Sequence, residues 1–153
     1  MKNRYLAGLF GLFILTITTS FAQEAVPVKQ HISDKPFIFS QLPDRFELPV
    51  AELTTLLAAQ KSSAVTLTLA GGKALAGVVT EKIQQSPLLT SINIKVSNYP
   101  GALFTISVVS MDDHSQKITG RIVHPQGGDV LILTQDASRF FFEKRQQKYF
   151  MPE

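Results

Sequence analysis

The chain has 153 residues, of which 44% are hydrophobic and 18% are charged, and 15 basic against 12 acidic residues give a formal net charge of +3. This apolar content excludes an intrinsically disordered chain. Because cysteine is absent, a disulfide framework, a thiolate metal site and a cysteine nucleophile are excluded.

The first 22 residues have the pattern of a cleaved signal peptide. Lys2 and Arg4 form a positive start, residues 5–17 are an apolar run, and Ser20 and Ala22 are small residues at the positions that a signal peptidase reads. The apolar run is shorter than the ~20 residues of a membrane-spanning helix. We therefore expect export to the periplasm or the exterior, with neither a membrane anchor nor a lipid anchor on the mature protein.

Removal of this segment lowers the charge of the mature chain, because it leaves 13 basic residues against 12 acidic ones. A net charge of about +1 is too small for a nucleic-acid-binding surface spread over the domain. We therefore expect no nucleic-acid partner. Residues 23–35 have mixed charge and no periodicity, which predicts a flexible leader. Residues 36–153 suffice for a single domain with its own core.

One amphipathic helix is predicted over residues 49–60. Pro49 suits a first helical position, Glu52 complements the helix dipole in the first turn, and Lys61 is placed to close the last turn. Four apolar residues recur at helical spacing and are expected to form the buried face: Val50, Leu53, Leu56 and Leu57.

The residues after this helix alternate with period two, which is typical of β-strands. The first strand is centred on Leu67 and ends in a tight turn at residues 70–73. The second strand returns over residues 73–82, where Gly77 indicates a bulge or a close backbone approach. Residues 83–89, which contain a proline, are interpreted as a break or an edge.

Further strands follow along the chain. The core-facing residues are expected to be Ile92, Ile94 and Val96 on the third strand, Phe104, Ile106 and Val108 on the fourth, and Ile118, Gly120 and Ile122 on the fifth. Tight turns are predicted at residues 98–101, 112–115 and 125–128. Three more strands are expected at residues 130–133, 139–144 and, as a last edge strand, 149–151.

Together these elements predict a mainly β fold. It is an antiparallel meander of seven or eight strands with one amphipathic helix packed at one end. The sheet is either strongly curved or a partly closed barrel, and the alternation leaves one of its faces in contact with water.

The usual catalytic signatures are missing: there is no Gly-x-Ser-x-Gly elbow, no His-Glu-x-x-His helix and no phosphate-binding loop. The most suggestive cluster is Asp112, Asp113 and His114, whose side chains are of the types that bind divalent cations. Three consecutive residues rarely point at one centre, so a turn is favoured. A metal site would need a further ligand, such as His124 or Asp129. We expect no cofactor, no metal and no catalytic residues.

The C-terminal residues 140–150 mix aromatic rings with cations. Alternation places Phe140 and Phe142 on one face of the strand and Phe141, with Glu143, on the other, so at most one of these faces belongs to the core. Rings beside cations can stack on a base, a sugar or a partner's peptide, although a core strand followed by a charged turn and an edge strand explains the same pattern. The candidate binding residues are Phe141, Lys144, Arg145, Tyr149 and Phe150.

Three classes of function remain open. The first is an exported, non-catalytic interaction module whose partner is a protein or a small ligand. The second is an accessory or inhibitory protein that binds a periplasmic enzyme or toxin by strand addition. The third is a small metal-dependent hydrolase that uses Asp112, Asp113 and His114. The sequence leaves the oligomeric state open.

Overall fold

The computed structural model describes residues 35–69, 72–113 and 115–147. In chain order its elements are β1 (Arg45–Leu48), α1 (Val50–Ala58), β2 (Ala64–Thr68), β3 (Ala74–Ser86), β4 (Leu89–Val96), β5 (Leu103–Ser110), β6 (Gln116–Val123), β7 (Asp129–Asp136) and β8 (Arg139–Gln146). The expected signal peptide and the edge strand expected at residues 149–151 lie outside the described residues.

The eight strands form one antiparallel sheet in the order β1-β8-β7-β6-β5-β4-β3-β2, which curls into a half-barrel. The mainly β meander is therefore confirmed from β2 to β8. The strand β1 was not predicted, since its four residues are too few to show a period. It pairs with β8, so the first and the last described strands are neighbours.

The core lies on the inner face of the curled sheet. The expected alternation holds on β4, where Ile92, Ile94 and Val96 are buried, and on β5, where Phe104 and Ile106 are buried. Val108 and Ile118 are only partly buried against this core. The rings of Phe104 and Phe142 meet edge to face with their centroids 5.5 Å apart, which is a favoured geometry for two aromatic rings.

The helix α1 begins at Val50, directly after Pro49, with Glu52 in its first turn as predicted. Leu53 and Leu56 are buried in the core, which confirms the apolar face at its centre. The prediction for Val50 was wrong, because this side chain is 50% exposed.

The helix ends at Ala58, earlier than predicted, because Ala59 has an extended backbone with ψ of 145°. Lys61 therefore lies beyond the last turn, which contains no basic residue. Its expected role is taken by a distant lysine, Lys82 on β3. The Lys82 ammonium donates to the carbonyl oxygens of Leu57 at 2.8 Å and Ala59 at 3.1 Å, where the helix dipole favours a cation.

The long strand β3 contradicts one of the two interpretations of residues 83–89, the break, and supports the other, the edge, because β2 pairs only with residues 74–78 and the end of β3 pairs with β4 alone among the described strands. It continues to Ser86, the turn consists of Pro87 and Leu88, and β4 begins at the next residue. The proline lies at the turn, where no ladder N–H is needed, so it does not interrupt either strand. A change of register between Val79 and Glu81 turns the following Lys82 toward the inner face.

Gly77 marks a close approach of two backbones, as predicted. A Cβ atom at this position would lie 2.7 Å from the carbonyl oxygen of Lys95 and 2.8 Å from a methyl group of Ile94 on β4. Both distances are shorter than van der Waals contact, so the spacing of β3 and β4 requires glycine here.

Residues 35–44, which we call the strap, precede β1 and are held by a buried carboxylate. The Asp129 side chain is 1% exposed and accepts the backbone N–H groups of Ile38 at 2.8 Å and Phe39 at 2.9 Å. Phe39 is fully buried and packs against the ring of Tyr99. Burial raises the pKa of the Tyr99 hydroxyl, and the charge of Asp129 raises it further.

Lysine side chains hold the strap along the rest of its length. Lys35 donates to the carbonyl oxygen of Pro125, and Lys73 donates to that of Gln41. Lys144 donates to the carbonyl oxygen of Leu42 and to the carboxylate of the exposed Asp44. The strap thus contacts the turn after β6, the end of the β2–β3 hairpin and β8, which fixes the chain entering β1.

Candidate functional site

The strongest candidate site lies on the outer face of the sheet, near its β1 edge. Phe140 and Phe142 share one face of β8, as the alternation predicted, and the structure shows that this face is buried while Phe141 points away from it. The outward ring lies between Glu47 on β1 and Thr134 on β7. A large aromatic side chain on this face is not needed to fill the core, so its position requires another explanation.

Two guanidinium groups lie against the Phe141 ring. The Cζ atoms of Arg45 and Arg139 are 4.1 Å and 5.3 Å from the ring centroid, within the ~6 Å range of cation–π attraction. Arg139 shares the face because it is two residues away on the same strand. Arg45 arrives through the pairing of β1 with β8. We call the following residues the Phe141 surface: Arg45, Glu47, Asp136, Arg139 and Phe141.

The Phe141 surface lines an open depression of about 620 Å³, together with Pro43 and Phe46. This volume is in the range of small-ligand pockets, but such pockets enclose most of their ligand. The depression is instead open to solvent, so it can accept a side chain or a loop of a larger molecule.

Acidic side chains orient Arg45 over the ring. Its guanidinium is 3.5 Å from Asp136 and 3.7 Å from Glu143. Because the Arg45 side chain is half-exposed, each of these pairs stabilises the fold by at most about 1 kcal/mol. Arg139 forms no ion pair with any residue that the structure describes. Its guanidinium fork is therefore available to an external acceptor.

The structure separates the binding residues proposed from the sequence. Phe141 and the 56% exposed Arg145 are on the outer face, where Arg145 contacts Glu143 at 2.5 Å. Lys144 points the other way and holds the strap. Tyr149 and Phe150 lie outside the described residues.

Sequence reasoning missed both arginines that contact the ring. The spacing of Arg139, two residues before Phe141 on a strand, was a usable signal. No local pattern relates Arg45 to this site.

The cluster at the β5–β6 turn forms an ordinary turn in the described part, residues 112, 113 and 115. Asp113 accepts the hydroxyl of Ser115 at 2.6 Å and its backbone N–H at 2.9 Å. Both hydrogen bonds lower the pKa of Asp113, and the bond from the Ser115 hydroxyl has the larger effect. His114, the third member, lies outside the described residues.

The two further metal ligands considered from the sequence are engaged elsewhere. His124 Nε2 lies 2.9 Å from the carbonyl oxygen of Pro100, while its Nδ1 accepts the N–H of Gln126. The Asp129 carboxylate holds the strap. Both residues flank the turn after β6, whereas Asp112 precedes this eight-residue strand, roughly 20 Å away. The structure does not bring these groups together.

A second depression, of about 460 Å³, lies where β6 and β7 separate beyond the pair Gly120–Leu133. It is lined by Lys117, Ile118, Thr119, Leu133, Thr134, Gln135 and Ala137. Lys117 is the only titratable side chain in this lining. The depression therefore provides no acid–base pair for catalysis.

Among the described residues, no group of three or more His, Cys, Asp or Glu side chains is arranged to hold a metal ion. No helix in the same part of the chain is long and apolar enough to cross a membrane. No family model, no curated protein and no solved structure matches this chain. The Phe141 surface is thus the feature from which function is inferred.

Proposed function

We propose that this protein is an exported, non-catalytic interaction module that binds a partner protein through the Phe141 surface. The observation that supports this function is the outward ring of Phe141 with the guanidinium groups of Arg45 and Arg139 in contact with it. Aromatic and arginine side chains are enriched in protein–protein interfaces and among the few residues that dominate their binding energy. Their combination in an open depression favours an interface over a catalytic pocket.

The charges favour a protein over a polyanion as the partner. Arg45 and Arg139 share the depression with Glu47 and Asp136, so the surface has both signs. Nucleic acid is bound by surfaces that are predominantly basic. A partner that places an apolar group on Phe141 and a carboxylate on Arg139 would match both features, because a guanidinium binds a carboxylate with two parallel hydrogen bonds.

The remainder of the fold would serve as a rigid scaffold for this surface. In this proposal the half-barrel is partly closed, with α1 packed at one end. Residues 1–22 direct export and are then removed. The strap positions β1, and β1 brings Arg45 to the ring of Phe141. A binding surface built on three paired strands, β1, β7 and β8, changes little on binding, which lowers the entropic cost of association.

The test compares capture of partner proteins by the wild-type chain and by two variants, Phe141→Ala and Arg139→Ala. The mature protein is immobilised and exposed to the envelope and medium fractions of its own cells, and the proteins retained are identified by mass spectrometry. We expect one specific protein to bind the wild type and to bind each variant at least about 30-fold more weakly, as for residues that dominate an interface.

Lys117→Ala is the matched control, since Lys117 is an exposed cation on the outer face of a different strand. It is expected to retain the partner. Thermal unfolding separates binding from folding, because Arg139→Ala changes an exposed residue and should alter stability by less than about 0.5 kcal/mol. Equal retention of the partner by wild type, Arg139→Ala and Phe141→Ala would contradict the proposal.

A further inference from the structure

The strand β2 ends the sheet on the side opposite β1, and hydrogen bonds on β3 show which of its groups face outward. The N–H of Ala76 donates to Asn98 Oδ1 at 3.2 Å, and its carbonyl oxygen accepts the N–H of Ser97 at 2.7 Å. Both bonds are on the β4 side of β3. Ala76 and the opposing Thr66 on β2 therefore form a pair that exchanges no backbone hydrogen bonds.

The backbone N–H and C=O of Thr66 consequently point sideways in the plane of the sheet, away from β3 and into the space beyond the edge. Ala64 and Thr68 have the same orientation because strands repeat every two residues. All three residues are exposed. No hydrogen bond joins their backbone groups to any residue in the described part of the chain. The outer edge of β2 thus presents three donor and acceptor pairs at regular spacing.

This edge lacks the usual protection against strand addition. The sequence of β2 is Ala-Val-Thr-Leu-Thr, without charge, proline or glycine, and the outward residues Ala74, Ala76 and Val78 of β3 beside it are also uncharged. The opposite edge, β1, is one residue shorter and has Arg45 and Glu47. Edge strands of monomeric proteins usually have charges or proline that prevent pairing.

We propose that β2 pairs with β2 of a second copy of this chain, antiparallel, across a two-fold axis at Thr66. Thr66 then faces Thr66 of the partner subunit, and Ala64 faces Thr68 of the partner subunit. These pairs exchange about six backbone hydrogen bonds. Threonine pairs across strands are favourable, and no like charges meet.

A second copy fits this edge better than an unrelated strand because the register is self-complementary. On the inner face, Val65 meets Leu67 of the partner subunit, so a branched apolar side chain meets another. A two-fold pairing uses both copies of the same edge and closes the assembly at two chains. Pairing of β2 with β1 of the next copy would leave free edges and produce longer chains instead. The proposal is independent of the Phe141 surface, which lies at the other edge.

Sedimentation of the mature protein, purified from the cells that produce it, measures the assembly. Two strands of five residues form a small interface, so we expect the weight-average mass to rise from one chain toward two between about 5 µM and about 500 µM. Thr66→Lys places two ammonium groups opposite each other and should weaken the dimer at least about tenfold. Thr119→Lys, an exposed threonine on the internal strand β6, should dimerise like the wild type.

Oxidative cross-linking tests the register, because the chain contains no cysteine. Opposed residues of a hydrogen-bonded antiparallel pair have Cα atoms ~5.5 Å apart, within the range of a disulfide. Thr66→Cys should therefore form a covalent dimer that Thr119→Cys does not. A protein that is monomeric at all these concentrations, a mass that grows beyond two chains, or equal cross-linking of the two cysteine variants would overturn the proposal.

Discussion

Removal of the buried Asp129 carboxylate should be the single substitution that most weakens the attachment of the strap. Asp129→Ala leaves the N–H groups of Ile38 and Phe39 without acceptors inside the protein. Asp129→Asn keeps one acceptor oxygen but presents an amide donor to the second N–H. The two variants therefore remove both hydrogen bonds and one hydrogen bond, respectively.

The expected loss in the free energy of unfolding follows from two ways in which the protein can respond to Asp129→Ala. If the strap stays in place, two hydrogen bonds to a carboxylate are lost at about 1.5–3 kcal/mol each. If the strap detaches, the buried side chains of Phe39 and Leu42 return to water, at about 1.5–3 kcal/mol each. Since both routes cost a similar amount, we expect Asp129→Ala to lower the free energy of unfolding by about 3–6 kcal/mol, and Asp129→Asn by about half of that.

Urea unfolding followed by circular dichroism measures these losses, and amide hydrogen exchange at Ile38 and Phe39 shows whether the strap detaches. Asp136→Ala is the matched control on the same strand. Its carboxylate is 63% exposed, so its ion pair with Arg45 should contribute less than about 1 kcal/mol. A cost below about 1 kcal/mol for Asp129→Ala, with unchanged exchange at both amides, would refute this account.

Two further predictions concern a helix end and a turn. Lys82→Met should lower stability by about 1–2 kcal/mol, because it removes the cation that binds the carbonyl oxygens of Leu57 and Ala59; equal urea midpoints would contradict this. Ser115→Ala should raise the pKa of Asp113 toward its ordinary value of 3.8, and NMR titration of this carboxyl would show no change if the hydroxyl were unimportant. Because folding lowers the pKa of Asp113, the ionised carboxyl stabilises the folded protein at any pH above the ordinary pKa. This stabilisation is lost as the pH falls through the lowered pKa of the folded state.

Most of the sheet could be predicted from the sequence because alternation is a local property. Ile92, Ile94 and Val96 recur at every second position beside polar residues, so their inward direction follows from a single strand. Of the two interpretations of residues 83–89, the break was wrong, since proline is compatible with a turn between two strands as well as with a break.

The candidate site could be predicted only in part. Phe141 and Arg139 share a strand, so their common face follows from spacing. Arg45 reaches the ring only because β1 pairs with β8, and the four residues of β1 do not specify that partner. The inward direction of the Lys82 side chain could not be predicted from the sequence either, because it depends on a change of register within β3.

The pairing of β1 with β8, the first and last strands that the structure describes, also sets the order in which the chain can fold during synthesis. Asp44, directly before β1, and Lys144 on β8 are 100 positions apart. At about 5–20 residues per second, a ribosome needs roughly 5–20 s to make the intervening chain. During that interval Phe46 and Leu48 have been synthesised but have no β8 to pack against. The polypeptide therefore cannot complete its core before β8 emerges, and its early apolar residues stay accessible to chaperones until then.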